Sequence, residues 1–101
     1  MEEKRRFERI SLSQPIRYQI KGGNHFADSM GRDISAEGIG FISEEFLLKS
    51  TQLIFELRHP DRNNYIKAVG EVVWISKVPH AERFLAGARF MGPPIPVDSY
   101  F

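Results

Sequence analysis

From position 16 onward the apolar residues of this chain alternate with polar ones far more often than they recur at helical spacing. Ile16, Tyr18 and Ile20 fall on one side of an extended backbone, with Arg17 and Gln19 on the other. Leu53, Phe55 and Leu57 alternate in the same way with Ile54, Glu56 and Arg58. A period of two is the side-chain alternation of a β-strand, and it cannot keep one face of a helix apolar. The runs are separated by "KGGN" at 21–24, "SAEG" at 35–38, "HPDRNN" at 59–64 and "KVPHAER" at 77–83. Gly, Pro, Asn and Asp at such places favour the backbone conformations of tight turns.

The pattern predicts an all-β chain with strands near 16–20, 26–34, from 39, 53–58, 65–76 and 84–90. A short acidic connector, "SEEFLLKS", follows the third strand. In the fifth strand Ile66, Ala68, Val72 and Trp74 are expected to face the core, and Gly70 to mark a bend. Short antiparallel strands joined by short turns suit a small six-stranded barrel, whose closure removes the exposed edges that invite aggregation. With 101 residues the chain is the size of one domain. The expected division is a flexible segment at 1–10, the barrel over 14–91 and a tail over 92–101. Three prolines in the four positions 93–96 leave no room for a substantial C-terminal helix.

Several function classes drop out on composition. There is no cysteine, which removes disulfides, zinc–cysteine sites and thiol chemistry. No apolar run approaches the length of a membrane span and no secretory apolar region follows the charged start, so a cytoplasmic protein without membrane insertion is expected. A net charge of +1 argues against a whole-surface attraction to nucleic acid polymers. His25, His59 and His80 lie on three separate predicted turns with no metal-binding spacing, and read as exposed loop residues. Glu44 and Glu45 are adjacent carboxylates on a polar connector, and no nucleophile stands beside a recognisable base. The chain is therefore not read as an enzyme, and no cofactor is expected.

Two stretches remain. "RRFER" at 5–9 places three arginines within five positions ahead of the first strand, which alone would be an ordinary solvated terminus. "DISAEG" at 33–38 ends the second strand with an acid, a hydroxyl and a glycine. Taken alone this is a turn, with Asp33 and Ser35 bonding nearby backbone and Gly38 supplying a positive φ. Asp33 and Ser35 are also two apart on an extended chain, so they would project from one face and address one flat ligand together.

In these two motifs the sequence resembles the PilZ domains of bacteria, which bind the second messenger cyclic di-GMP. The RxxxR motif of that family matches Arg5 and Arg9, and its [DN]xSxxG motif matches Asp33, Ser35 and Gly38. The later "GEVVWIS" and "GARF" segments look like the family's closing strands, so the resemblance spans nearly the whole chain. It implies a six-stranded antiparallel barrel that binds cyclic di-GMP through those five residues and signals to a protein partner. Guanidinium forks suit phosphates and guanine O6 and N7, and a carboxylate suits the N–H edge of guanine. Lys4 and Arg6 are possible additional contacts. A different class of function is a ligand-independent interaction module on the same barrel. A weaker one is a nucleic-acid-binding barrel, for which only Tyr18 beside Arg17 and Lys21 offers an aromatic among basic residues.

Overall fold

The computed structural model describes residues 10–58 and 65–92. The RxxxR segment, the 59–64 turn and the tail after Gly92 lie outside the described residues. Six strands follow one another: β1 Ile10–Ile20, β2 Ala27–Ile34, β3 Gly38–Ser43, β4 Gln52–Arg58, β5 Tyr65–Lys77 and β6 Phe84–Phe90. All pairings are antiparallel, in the order β1-β2-β3-β6-β5-β4, and β1 closes the barrel by pairing with β4 from Ile16↔Leu57 to Ile20↔Leu53. This is the six-stranded antiparallel barrel that the alternation predicts. Among the described residues no helix is long and apolar enough to cross a membrane.

Each turn forms for a local reason. At 21–24 the chain reverses with Gly22 at φ 91°, a conformation that costs other residues a clash at Cβ, and the Gly23 N–H donates to Ile20 C=O at 2.7 Å. Between β2 and β3, Ser35 and Gly38 exchange backbone hydrogen bonds of 2.9 and 3.4 Å around Ala36 and Glu37.

The inward face carries the apolar half of the alternation. Ile16, Tyr18, Ile34, Ile39, Phe41, Leu53, Phe55, Leu57 and Val72 are all buried. Their aromatic rings form a continuous column: Tyr18 on Phe41 with centroids 5.4 Å apart, Phe41 edge-on to Phe55 at 5.2 Å, and Phe55 edge-on to Phe90 at 6.3 Å. Tilted and edge-on contacts of this kind suit the ring quadrupoles. Room for them comes from small residues. Ala86 and Ala88 line β6, and a Cβ at Gly70 would stand 3.0 Å from the Phe55 ring. Gly70 thus makes space for Phe55.

One polar network enters the core. The Ser43 hydroxyl donates to Glu45 C=O at 2.6 Å and accepts the Glu45 N–H at 3.2 Å. A hydroxyl has one hydrogen, so in the 3.1 Å contact between Tyr18 and Ser43 the tyrosine is the donor. This pins the start of the connector to the barrel wall. Leu47, three residues on from Glu44, is buried in the core, so the stretch that reads as an acidic linker also closes one barrel end.

Three features differ from the alternation pattern. β1 begins at Ile10, well before its regular alternation starts. Ile20 shares the inward side of β1 but is 41% exposed, because it lies at the strand end beyond the packed column. Trp74 is 43% exposed and faces outward, not into the core. The cause is a β-bulge: Val72 pairs with Ala88 and Trp74 with Gly87, which leaves Val73 as an extra residue in β5. The bulge shifts the alternation by one, so Ile75 packs against the core in place of Trp74.

Burial pushes the Tyr18 hydroxyl above its ordinary value of 10.0, and the nearby Glu45 carboxylate adds to the shift. The folded state then holds this proton where the unfolded chain releases it. Stability is unaffected below the unfolded value and falls as pH rises above about 10. Tyr18→Phe should cost about 1 kcal/mol in urea unfolding at neutral pH, the usual net worth of one hydrogen bond. It should also flatten the alkaline loss of stability relative to the wild type; an identical alkaline limb would mean that Tyr18 is not the group responsible.

Candidate functional site

The Val73 bulge has a counterpart across the barrel wall. Gly31 pairs with Phe41 and Asp33 with Gly40, so Arg32 is an extra residue in β2. Alternation would send one of Arg32 and Asp33 inward. With the bulge between them, Gly31 and Ile34 are buried, whereas Arg32 is exposed and Asp33 half-buried on the outside. Bulges often re-aim side chains in this way beside functional sites.

The two bulges flank one lateral row. Ser11, Asp33, Gly40, Gly87 and Trp74 stand side by side across β1, β2, β3, β6 and β5. The two glycines in its middle leave the outer wall without side chains there, and both neighbours lean into the gap. A Cβ at Gly40 would lie 3.0 Å from Asp33 Oδ1 and 3.3 Å from Oδ2. At Gly87 a Cβ would collide with Trp74 Nε1, with Cε2 only 2.5 Å away. A carboxylate therefore sits over one glycine and an indole over the next, about one strand spacing of ~4.8 Å away. Arg32, Asp33, Gly40, Trp74 and Leu85 border a groove of about 230 Å³. Pockets that enclose a whole drug-sized ligand run from about 300 to 1,000 Å³, so this one receives part of a larger molecule.

The residues of the two sequence motifs fare differently. Lys4, Arg5, Arg6 and Arg9 lie outside the described residues. Asp33 borders the groove. Ser35 is buried, and its hydroxyl accepts the Glu37 N–H at 3.2 Å, so the serine organises the turn that follows β2. Gly38 does not supply the positive φ that a turn glycine would; Gly22 and Gly92 are the described glycines with positive φ. Its purpose is close approach, since a Cβ there would stand 2.5 Å from the Ala88 carbonyl oxygen on β6. A larger cleft, of about 450 Å³, opens beside Gln14, Arg17, Asp28, Glu56 and Tyr65. Its charges answer one another: Arg17 meets Glu56 at 3.2 Å and lies 4.9 Å from the centre of the Phe26 ring.

Sequence alternation alone misses Trp74, Arg32 and the glycine floor. Two signals do point to the bulges. "VVW" at 72–74 and "RD" at 32–33 each put like residues at successive positions, which a regular half-buried strand does not accommodate. The Gly40–Gly87 pair has no such signal, because it exists only once β3 lies against β6.

Gly87→Ala tests this arrangement. The new methyl should drive the indole of Trp74, the single tryptophan, off its seat and shift its fluorescence emission. The cost in stability should stay near 1 kcal/mol, the low end for overpacking, because an exposed neighbour can swing away. Unchanged emission would mean that Trp74 does not rest on Gly87.

Comparison with known proteins agrees with this architecture. The family model for the PilZ domain matches residues 3–99. No curated protein sequence matches the chain. Among solved structures, the inhibitor of motility MotI/DgrA of Bacillus subtilis superposes with a TM-score of 0.72 at 17% identity, over 95% of this chain and 46% of that one. The PilZ domain of YcgR from Escherichia coli, solved with c-di-GMP, gives 0.68 at 16% identity, over 89% of this chain and 79% of that one. The K. pneumonia MrkH–c-di-GMP complex gives 0.63 at 16% identity, over 97% and 48%. The chain thus spans about half the length of MotI/DgrA and of MrkH. With a family match over nearly its whole length and the closed six-stranded barrel beneath it, this chain belongs to the PilZ domain family.

Proposed function

We propose that this domain is a cytoplasmic receptor for cyclic di-GMP that catalyses no reaction and passes its signal to a protein partner. The observation that carries the reading is the pairing of Asp33 and Trp74 over adjacent glycines. Two of the structurally similar proteins, the YcgR PilZ domain and MrkH, were solved with c-di-GMP, which supports the same ligand here.

Cyclic di-GMP presents two guanines and two phosphates. The Asp33 carboxylate accepts the N1–H and exocyclic N–H of one guanine, and the Trp74 indole supplies a stacking surface worth about 1–3 kcal/mol per base. Phosphate contacts come from Arg5 and Arg9, with Lys4 and Arg6 adding positive charge. Those residues precede Ile10, which pairs with Ile34, so the RxxxR segment joins the barrel at the end of β2 where Asp33 and Ser35 stand. Ser35 and Gly38 act by shaping the hairpin that presents Asp33, and the Ser35 hydroxyl hydrogen remains to donate to base or phosphate. Ligand held by Asp33, Trp74 and the arginines changes the outer surface of the barrel, which is what a partner then reads.

Calorimetric titration tests the reading. Wild type should bind cyclic di-GMP, more weakly as salt rises. A complete lack of binding at tens of times a roughly micromolar concentration, a scale of about 8 kcal/mol, would overturn the receptor function. In a folded Asp33→Ala protein the affinity for cyclic di-GMP should fall by about 1–3 kcal/mol, the scale of a charge-assisted hydrogen bond. Any residual binding of cyclic di-AMP should barely change, because adenine lacks the N1–H and the exocyclic amine at that position.

A further inference from the structure

We infer that Arg32 is a second base-reading residue of the groove, taking the O6/N7 edge of the guanine whose N–H edge faces Asp33. The inference rests on the cyclic di-GMP reading and adds to it a residue outside both sequence motifs.

The bulge in β2 is the starting point. In a regular strand the neighbours of an outward Asp33 would point inward, but Arg32 is the extra residue opposite the Gly40–Phe41 step of β3 and is exposed. Two consecutive side chains of opposite charge therefore stand side by side on the outer wall, on Cα atoms about 3.8 Å apart. Both border the same groove, with Trp74 and Leu85 on its far side.

Arg32 is also uncommitted, unlike Arg17 and Arg89. Arg17 is held by Asp28 and Glu56, and Arg89 meets Glu71 at 2.8 Å. Arg32 forms no ion pair among the described residues. Asp33 does not neutralise it, since its carboxylate leans the other way, over Gly40.

The chemistry of the adjacent pair selects a base rather than a phosphate. A phosphodiester placed against Arg32 offers acceptors only and so gives the neighbouring Asp33 carboxylate no donor. Guanine serves both. Its donors, N1–H and the exocyclic amine, adjoin its acceptors, O6 and N7, around one ring perimeter. A carboxylate and a guanidinium on neighbouring residues complement that order of donors and acceptors, and a guanidinium fork bonds O6 and N7 together. Adenine offers an amine where guanine has O6, and so presents a donor to Arg32.

A chemical double-mutant cycle decides the matter, with binding measured by calorimetry on the whole chain. The probes are cyclic di-GMP and its 7-deaza analogue, in which N7 becomes C–H; the proteins are wild type, Arg32→Ala and Arg32→Lys. Arg32→Ala should weaken cyclic di-GMP roughly 5- to 150-fold, the span of a bidentate arginine–guanine contact. The 7-deaza change should weaken wild type but have little further effect on Arg32→Ala. Arg32→Lys should resemble Arg32→Ala, because an ammonium has no fork, and it carries the same cycle if the alanine variant fails to fold. Undiminished binding by Arg32→Ala overturns the inference. So does a 7-deaza penalty that persists in both variants, the result expected if Arg32 meets phosphate and another residue reads N7. If wild type binds no cyclic di-GMP, the receptor reading falls and this inference falls with it.

Discussion

Closure of the barrel through β1 governs the rest of this structure. β1 pairs with β2 on one side and with β4 on the other, so the sheet has no free edge at which misfit between strands can be absorbed. Any mismatch must be taken up inside the ladder. It appears as three local irregularities: between Ser11 and Gln14 in β1, at Arg32 in β2 and at Val73 in β5. Two of these deliver the side chains that border the groove. The feature that stabilises the fold and the feature that builds the site are thus the same pattern of hydrogen bonds.

The core imposes a second requirement, which falls mainly on β6. A column of four aromatic rings has to fit within six strands, and the inward positions of β6 meet it with Ala86 and Ala88. Gly87 between them faces outward and leaves a seat for Trp74. A thin strand therefore serves both faces at once: bulk inside is carried by Phe41 and Phe55, and bulk outside by an indole from the neighbouring strand. Gly38 extends the same economy to the β3–β6 contact, where a side chain would strike the Ala88 carbonyl.

Charge is arranged locally rather than globally. The net charge is +1, and across β2, β1, β4 and β5 the side chains of Asp28, Arg17, Glu56 and Lys67 neutralise one another. Partly exposed pairs of this kind contribute little to stability. At the groove a carboxylate and a guanidinium stand on consecutive residues, which favours a ligand with adjoining donors and acceptors over a simple anion. The arginines of the RxxxR motif add the attraction for phosphate in the function proposed here.

Much of this protein was legible in its residues alone. Period-two alternation in Leu53–Phe55–Leu57 and Ile16–Tyr18, punctuated by turn formers, determined the strands, because a pleated backbone sends successive side chains to opposite faces. The two short motifs determined the family resemblance and singled out Asp33. Local pattern could not determine which strands lie together, and three outcomes depended on that. Trp74 reads as core by alternation and lies outside because a bulge against β6 shifts its phase by one. Gly38 reads as a turn residue and is instead a point of close contact with Ala88, some fifty positions away. Gly40 and Gly87 are unremarkable singly and become a floor only when β3 pairs with β6. Alternation is a property of one strand, whereas bulges, close approaches and grooves belong to pairs of strands, and only the closed barrel decides those pairs.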